Sequence, residues 1–273
     1  MKSRLNTWLL HAILLVAAVI TLYPLVWMVL ASLMPSGEAQ SFPPRLWPSH
    51  VTLNHYRTLF ERLNIARYFA NSLLIASSVT FFSVLINSMA GYAFAKLHFA
   101  GRDRLFHLLL AGLVIPAQVA MIPLFLLMKQ LGLINTYWAV ILPASASIFG
   151  IFLVRQYAMA VPNALLDAAR IDGAGEWRIF RSIVLPLLRP ILVTLGVFTF
   201  MATWNDFMWP LVALIDGDLR TLPVALAILS GEHVQDTELM MAGSVVTLLP
   251  VLLLFVFVQR YYLTGIVAGS IKE

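Results

Sequence analysis

Side chains that could do chemistry are sparse in this sequence. The 273 residues contain no cysteine, which excludes thiolate metal sites, disulfides and a cysteine nucleophile. The six histidines are isolated or lie outside any ligand spacing, so we expect no metal site. Asp167 and Asp172 are five residues apart, but no further carboxylate cluster supports them as an acid–base pair. The sequence therefore does not predict an enzyme.

A second polar group of interest, Asp206, interrupts an apolar run. Trp204, Asn205 and Trp209 stand beside it. Aromatic rings flanked by hydrogen-bonding groups suit sugars, so these four residues are candidates for lining a substrate pathway. The alternative is that Asp206 lies near the outer surface of a membrane that the chain spans, with the two tryptophans as ordinary interfacial anchors.

The composition identifies the class of protein. Hydrophobic residues make up 60% of the chain and charged residues 11%, with a mean hydropathy of +0.86. A soluble domain carries about 45–50% apolar and about 25% charged residues. This balance excludes a soluble domain, a disordered chain and a nucleic-acid protein built on a basic surface, and it indicates a polytopic membrane protein.

Six apolar stretches are long enough, or nearly so, to cross a bilayer core, which takes about 20 helical residues. They lie at about 9–31, 68–95, 105–128, 132–154, 191–214 and 239–259. Helices are expected because lipid cannot satisfy unpaired backbone groups and the runs lack the alternation of a barrel. The first stretch is too long for a signal peptide and no small-x-small cleavage site follows it, so we expect a retained helix. Residues 1–273 are thus expected to form one membrane domain.

Basic residues indicate the orientation, since Lys and Arg are enriched in cytoplasmic loops. With the N-terminus inside, twelve of the 18 basic residues fall in inner segments, whereas seven acidic residues fall in outer ones. Both termini are therefore expected in the cytoplasm. Residues 155–190 then form the longest inner loop, and residues 32–67 and 215–238 form outer loops.

The inner loop predicts two short helices separated by a break. Pro162 suits the first turn of a helix, where its missing amide donor would be unpaired anyway, and good helix formers follow. Gly173 and Gly175 are expected to end this helix, because glycine accepts the left-handed geometry of a helix end.

A second helix is expected from about Glu176 to Val184, until Pro186 and Pro190 redirect the chain into the fifth span. Apolar side chains such as Trp177 would then face an aqueous compartment, so they must be buried against something. One interpretation is an amphipathic hairpin on lipid or under its own helices; the other is an element that docks on a partner.

The inner loop also resembles a known signature. It reads Asp167-Ala168-Ala169, three residues, Gly173, nine residues, then Ile183-x-Leu185-Pro186. This is similar to the cytoplasmic loop of permease subunits of ATP-binding-cassette importers, Glu-Ala-Ala-x3-Gly-x9-Ile-x-Leu-Pro. All spacings agree, and the one departure is aspartate for glutamate at Asp167. The resemblance covers essentially the whole chain and implies an all-α polytopic membrane protein with six transmembrane helices, the type I importer permease fold.

The resemblance implies that the loop carries a coupling helix that sits in a cleft of a cytoplasmic ATPase dimer. The residues implied in this coupling are Asp167, Ala168, Ala169, Asp172, Gly173, Ala174, Ile183, Leu185 and Pro186. No Gly-x-x-x-x-Gly-Lys-Ser/Thr phosphate loop occurs in the sequence, so ATP and magnesium are expected in the partner ATPase and no cofactor in this chain. A second, similar permease and an extracytoplasmic solute-binding protein are the other implied partners, besides membrane lipid and without nucleic acid.

Two further segments narrow the resemblance. Residues 204–211 are similar to the fifth helix of sugar-importer permeases of the maltose and glycerol-phosphate type, and residues 265–272 to the usual ending of their smaller permease subunit. The implied protein is the transmembrane subunit of an ATP-driven sugar importer in a bacterial or archaeal plasma membrane. The alternatives are a permease for a non-sugar solute or an ATPase-independent carrier or channel, which would need more ionisable residues within the spans or paired inverted halves.

Overall fold

The regular structure of this protein is entirely helical. The computed structural model describes residues 2–43, 45–232 and 236–270, and these ranges contain no strand, in agreement with the predicted all-α class. The last residues of the predicted C-terminal signature, 271–272, lie outside the described residues. The helices are α1 (Lys2–Ala31), α2 (Asn54–Glu61), α3 (Ile65–Lys96), α4 (Arg102–Ala111), α5 (Ala117–Gln130), α6 (Trp138–Ala144), α7 (Ile148–Met159), α8 (Asn163–Ile171), α9 (Glu176–Ile179), α10 (Leu185–Trp204), α11 (Met208–Ala213), α12 (Leu222–Glu232) and α13 (Thr237–Ser270).

Five helical stretches among the described residues are long and apolar enough to cross a membrane. They are Asn6–Ala31, Ile65–Lys96, Trp138–Met159, Glu176–Trp204 and Thr237–Gln259. The third comprises α6 and α7, and the fourth comprises α9, a π-helical turn at Phe180–Val184 and α10. Four of these stretches lie at the positions of the predicted first, second, fourth and sixth spans, whereas Glu176–Trp204 overlaps the predicted fifth span, 191–214, only over residues 191–204.

The predicted third span, 105–128, differs from a single straight helix. α4 and a following 3-10 turn at Gly112–Val114 meet α5 at an angle of 107°. Ile115 is extended, with φ −80° and ψ 117°, and Pro116 follows it. A residue before proline avoids the helical region, because the proline ring clashes with its backbone. The bend at Pro116 therefore has a local cause.

The prolines that were expected to redirect the chain after residue 184 do not do so. The helix continues through Pro186 and Pro190 as far as Trp204. Directly before Pro186 the chain forms a π turn, in which the Leu185 N–H donates to the Phe180 carbonyl. A proline ring in a regular α-helix clashes with the carbonyl four residues earlier, and the wider π turn, placed just ahead of Pro186, relaxes this crowding.

The chain folds as two compact units, one of residues 1–66 with 225–250 and the other of residues 67–224 with 251–273. In the first unit, the most apolar window of α1 contains no buried residue. The segment after α1 is held by Glu238, whose fully buried carboxylate accepts a 2.7 Å hydrogen bond from the Ala39 N–H. The ring of His55, also buried, hydrogen-bonds to the Met34 carbonyl at 2.9 Å.

The second unit holds a hydrophobic core at the expected cytoplasmic end of its long helices. The core cluster is formed by Tyr92, Val154, Ala158, Val161, Leu166, Ile179, Phe180, Val184, Leu188, Ile191, Leu192 and Leu195. These residues belong to α3, α7, α8, α9 and α10, so the short helices of the inner loop pack directly on the long ones.

We expect Gly91→Ala to lower the unfolding midpoint of the detergent-purified protein, measured by differential scanning fluorimetry. A Cβ at Gly91 would lie 2.6 Å from Val154 Cγ1 and 2.9 Å from the Arg155 backbone nitrogen, an overpacking that typically costs about 1–3 kcal/mol. Gly196→Ala is the matched control, since its Cβ would meet Thr80 at an ordinary 3.6 Å. This control should be neutral or stabilising, because alanine is the better helix former. Equal midpoints for the two variants would contradict the close packing of α3 on α7.

Candidate functional site

The inner loop presents α8 as an amphipathic helix. Leu166 is only 1% exposed and joins the core cluster, whereas Leu165 is 44% exposed and Ile171 is 87% exposed. Trp177, in the first turn of α9, is also 62% exposed. One face of the loop is thus fixed to the chain's own core, and the other offers apolar side chains outward. Packing of the loop on the chain's own helices agrees with the first interpretation from the sequence, and docking on a partner stays a prediction.

The turn between α8 and α9 depends on Gly173. Its φ is +81°, a left-handed conformation that costs other residues about 1–2 kcal/mol. The Gly173 N–H donates to the Arg170 carbonyl at 3.0 Å, and the Ala174 N–H donates to the Ala169 carbonyl at 2.9 Å. This pair of bonds is a Schellman motif, which satisfies the last carbonyls of a helix. Gly175, by contrast, has φ −70° and ψ 158°, which any residue can adopt.

Polar side chains connect α8, α9 and α3 in a row. Arg170 Nη1 donates to Asp167 Oδ1 at 2.7 Å, and Arg170 Nε donates to Glu176 Oε1 at 2.7 Å. The second carboxylate oxygen of Glu176 accepts a 2.8 Å hydrogen bond from the Tyr92 hydroxyl. Hydrogen bonds to Glu176 and then to Asp167 raise the pKa of Arg170 above its ordinary value, so this guanidinium stays charged at any physiological pH.

Lys96, one helical turn after Tyr92 on α3, binds the start of the loop. Its ammonium group donates to the carbonyls of Met159 at 3.2 Å and Val161 at 2.6 Å, and to Asn163 Oδ1 at 2.8 Å. A cation at the last carbonyls of α7 complements the negative end of that helix. The same side chain thereby joins the end of α7 to the first residue of α8.

The predicted coupling residues fall into two groups. The exposed group contains Asp167, Ala168, Asp172, Gly173 and Pro186. The partly buried group, which packs on the chain's own core cluster, contains Ala169, Ala174, Ile183 and Leu185. The structure thus separates residues available to a partner from residues that position the loop. Their part in ATPase coupling stays a prediction.

The two tryptophans predicted for a substrate pathway are packed inside this chain. Trp204 is 1% exposed, lies edge-on to Phe69 with ring centroids 5.5 Å apart, and stacks on Phe200 at 5.9 Å. Trp209 is 9% exposed, and its indole N–H donates to the Ala139 carbonyl at 2.9 Å. Both rings therefore have a clear packing role, and a role in substrate passage stays a prediction.

The two polar neighbours of these tryptophans lie at a break between helices. α10 ends at Trp204, and Asn205 donates from its side chain to the Met201 carbonyl at 2.8 Å. Asp206 therefore stands after the fifth long helix rather than within it. Its carboxylate accepts hydrogen bonds from the backbone N–H groups that begin α11, those of residues 207–209. Asp206 acts as the cap of that short helix.

A cleft that sequence reasoning missed lies between α3, α10 and the junction of α6 with α7. Its volume is about 380 Å³, within the roughly 300–1,000 Å³ range of small-molecule sites. It is lined by Ser83, Pro143, Ala144, Ala146, Ser147, Phe149, Leu195, Phe198, Thr199, Ala202 and Thr203. Four hydroxyls and two half-exposed phenyl rings are among these groups, and no charged side chain lines the cleft within the described residues.

The cleft adjoins an interruption in a membrane-length helix. Residues 145–147 are not helical, although Trp138–Met159 is otherwise continuous. The buried Asn87 accepts a 3.1 Å hydrogen bond from the Ser147 N–H and donates to Ser83 Oγ at 2.7 Å. Asn87 of α3 thereby hydrogen-bonds to the interruption between α6 and α7. The sequence signal for the cleft was Pro143-Ala-Ser-Ala-Ser, which puts two hydroxyls and a proline within an apolar run.

Comparisons with known proteins agree with this architecture. Residues 83–264 match the family described as binding-protein-dependent transport system inner membrane component. The chain is 41% identical to the arabinooligosaccharides transport system permease protein AraQ of Halalkalibacterium halodurans, covering 99% of this chain and 98% of that protein. It is 33% identical to the lactose transport system permease protein LacG of Rhizobium radiobacter, covering 100% and 98%.

A solved structure shares the fold. A chain of a bacterial ABC transporter involved in the import of the acidic polysaccharide alginate superposes with a TM-score of 0.82 at 24% identity, covering 96% of this chain and 98% of that one. The predicted importer permease fold is thereby confirmed.

We expect Asp206→Ala to lower the unfolding midpoint of the purified protein, because it removes the acceptor for the first N–H groups of α11. Loss of such a cap typically costs about 1 kcal/mol. Asp206→Asn keeps a side-chain oxygen and should retain most of the stability. The measurement is thermal unfolding of both variants in the same detergent, and a wild-type midpoint for Asp206→Ala would contradict the capping role.

Proposed function

Because this chain belongs to the family of binding-protein-dependent transport system inner membrane components, we propose that it forms half of the translocation pathway of an ATP-driven sugar importer. As a member of that family it is a permease subunit of an ABC importer and not an enzyme. The observation that carries the proposal is the family match over residues 83–264, which contain both the cleft and the α8–α9 loop.

The cleft supports a neutral sugar as the solute. Its hydroxyls on Ser147, Thr199 and Thr203 can exchange hydrogen bonds with a polyol, and its phenyl rings can cover the CH face of a sugar ring. An acidic polysaccharide would need cationic partners, and the described lining supplies none. The relatives named for arabinooligosaccharide and lactose transport make a short neutral oligosaccharide the first substrate to test.

The inner loop supports coupling to a separate ATPase. The exposed face of α8 combines the apolar Leu165 and Ile171 with the carboxylates of Asp167 and Asp172. An amphipathic helix of this kind docks by its apolar positions and is oriented by its charges. We propose that the partner ATPase dimer binds ATP and magnesium, because the sequence of this chain has no phosphate loop.

The segment after α1, on the proposed outer side, supports contact with a solute-binding protein. In this arrangement both termini of the chain lie in the cytoplasm, and a second permease completes the pathway. The segment after α1 is braced by Glu38, which accepts a 2.6 Å hydrogen bond from Arg45 and further bonds from the Ser49 N–H at 3.2 Å. This bracing holds out two large side chains, Phe42 at 97% exposure and Trp47 at 71%. Exposed aromatic groups on an ordered segment are typical of interaction surfaces.

The coupling role is tested with Gly173→Asp. A left-handed aspartate strains the turn after α8 and places a charge at its end, so uptake should fall about tenfold or more while the chain still reaches the membrane. The measurement is ATP-driven uptake of labelled arabinotriose by proteoliposomes containing the co-purified ATPase and permeases. Gly175→Ala is the matched control, since its backbone is compatible with alanine and a Cβ there meets nothing within 4 Å. Normal uptake by Gly173→Asp would contradict the coupling role. If no ATPase co-purified with the wild-type chain, the proposal of an ATP-driven importer would be wrong.

The cleft is tested with Ala202→Phe, which fills part of the 380 Å³ volume with a ring. Steric exclusion of this size discriminates by about tenfold or more, so uptake should fall while ATPase association is unchanged. Leu253→Phe, at a residue 58% exposed on α13 and outside the cleft lining, is the matched control. If both variants transport alike, the cleft is not part of the pathway.

A further inference from the structure

The cytoplasmic end of α3 is attached to both helices of the inner loop. Lys96 bonds to Asn163, the first residue of α8, and Tyr92 bonds to Glu176, the first residue of α9. Residues four apart on a helix lie on one face, so a single face of α3 makes both attachments. α8 therefore cannot tilt independently of α3 unless one of these contacts breaks.

Arg170 closes this arrangement into a ring. It lies in the last turn of α8, and its planar guanidinium bridges Asp167 on its own helix and Glu176 on α9. The ring of contacts thus runs from α3 through Lys96 into α8, across Arg170 to α9, and back to α3 through Tyr92. The guanidinium suits this position because its donors are held in a fixed fork, which a lysine does not provide.

Beyond the closed ring, α3 also reaches the cleft. Asn87 lies five residues before Tyr92 on the same helix and holds the Ser147 N–H at the interruption beside the cleft. Tyr92 itself is 4% exposed and packs on Phe180 with ring centroids 5.4 Å apart, so its hydroxyl is firmly placed. One continuous helix therefore connects the inner loop to the junction of α6 and α7.

We infer that Arg170 is a positioning residue that, through Glu176 and Tyr92, makes α3 move with α8, so that displacement of the loop reaches the cleft. The inference rests on the proposed function, because the displacement would come from the ATPase. The Arg170 side chain is 37% exposed and its two carboxylate partners about half exposed. Ion pairs at such exposure contribute little to stability, so the contribution of Arg170 is the geometry that it enforces.

Two substitutions separate this role from simple stiffening of the loop. Arg170→Met removes the bridge between α8 and α9. Tyr92→Phe removes only the hydroxyl, which leaves the Asp167–Arg170–Glu176 pairs and the Lys96–Asn163 bond intact but breaks the hydrogen bond between Glu176 and α3. If the contacts act in series, both variants should show the same defect. Tyr157→Phe, in a ring that is 54% exposed on α7, is the matched control.

The experiment uses the complete transporter, co-purified with its ATPase and second permease, in lipid nanodiscs. Hydrogen–deuterium exchange is compared with and without AMP-PNP for two peptides, residues 163–171 of α8 and residues 86–96 of α3. In wild type and in Tyr157→Phe, we expect AMP-PNP to change the exchange of both peptides. In Arg170→Met and Tyr92→Phe the α8 response should persist, whereas the α3 response should shrink about fivefold or more, the scale of a typical coupling between sites.

The inference would be overturned if the exchange of the α3 peptide in Tyr92→Phe changed with AMP-PNP as much as it does in wild type. It would also be overturned if, in the wild-type transporter, AMP-PNP changed the exchange of the α8 peptide alone. Loss of the α8 response in Arg170→Met would also overturn it, since Arg170 would then serve ATPase docking itself. None of these outcomes depends on knowing the sugar. A chain that recovers no ATPase would refute the proposed function instead, so the two failures are distinguishable.

Discussion

The structure depends on one constraint, that a backbone group inside lipid must find its hydrogen-bond partner within the protein. Helices meet this constraint wherever they are continuous. At residues 145–147, between α6 and α7, the helix is interrupted, and the side chain of Asn87 on α3 accepts a hydrogen bond from the Ser147 N–H. Irregular backbone at membrane depth is tolerated where it is buried or lines a cavity. The interruption and the hydroxyl-lined cleft are therefore parts of one feature, which makes the cleft the strongest candidate for the pathway.

α3 organises the second unit around that feature. Along its C-terminal half, Asn87 hydrogen-bonds to the interruption, Gly91 allows the backbone of α7 to approach, Tyr92 bonds to α9 and Lys96 bonds to α8. Each contact is modest by itself. Their succession on one rigid element places the exposed face of the inner loop and the cleft in a defined relation. Chains of packed side chains and hydrogen bonds on a rigid element can carry energetic coupling between two separated sites.

One expectation from the sequence was wrong for a local physical reason. Pro186 and Pro190 were expected to turn the chain, but a π turn accommodates them and the helix runs on to Trp204. The third span, by contrast, bends by 107° after the extended residue that precedes Pro116. The same residue type thus had opposite effects, since the outcome depends on whether the preceding turn can widen. A count of prolines does not distinguish these two outcomes.

The sequence by itself determined the helical class, the membrane lengths and the family, because hydropathy and the spacing of the inner-loop signature depend only on residue types. It also indicated that glycine would end α8, and Gly173 has the left-handed backbone that such an end requires. Only the tertiary structure decided which polar groups meet. Ser83, Ser147 and Thr199 are distant in sequence and converge on one cleft, while Trp204 and Trp209, which flank Asp206 in the sequence, are buried in the core. The physical reason is that convergence arises from helix packing, which brings together residues that no local pattern relates.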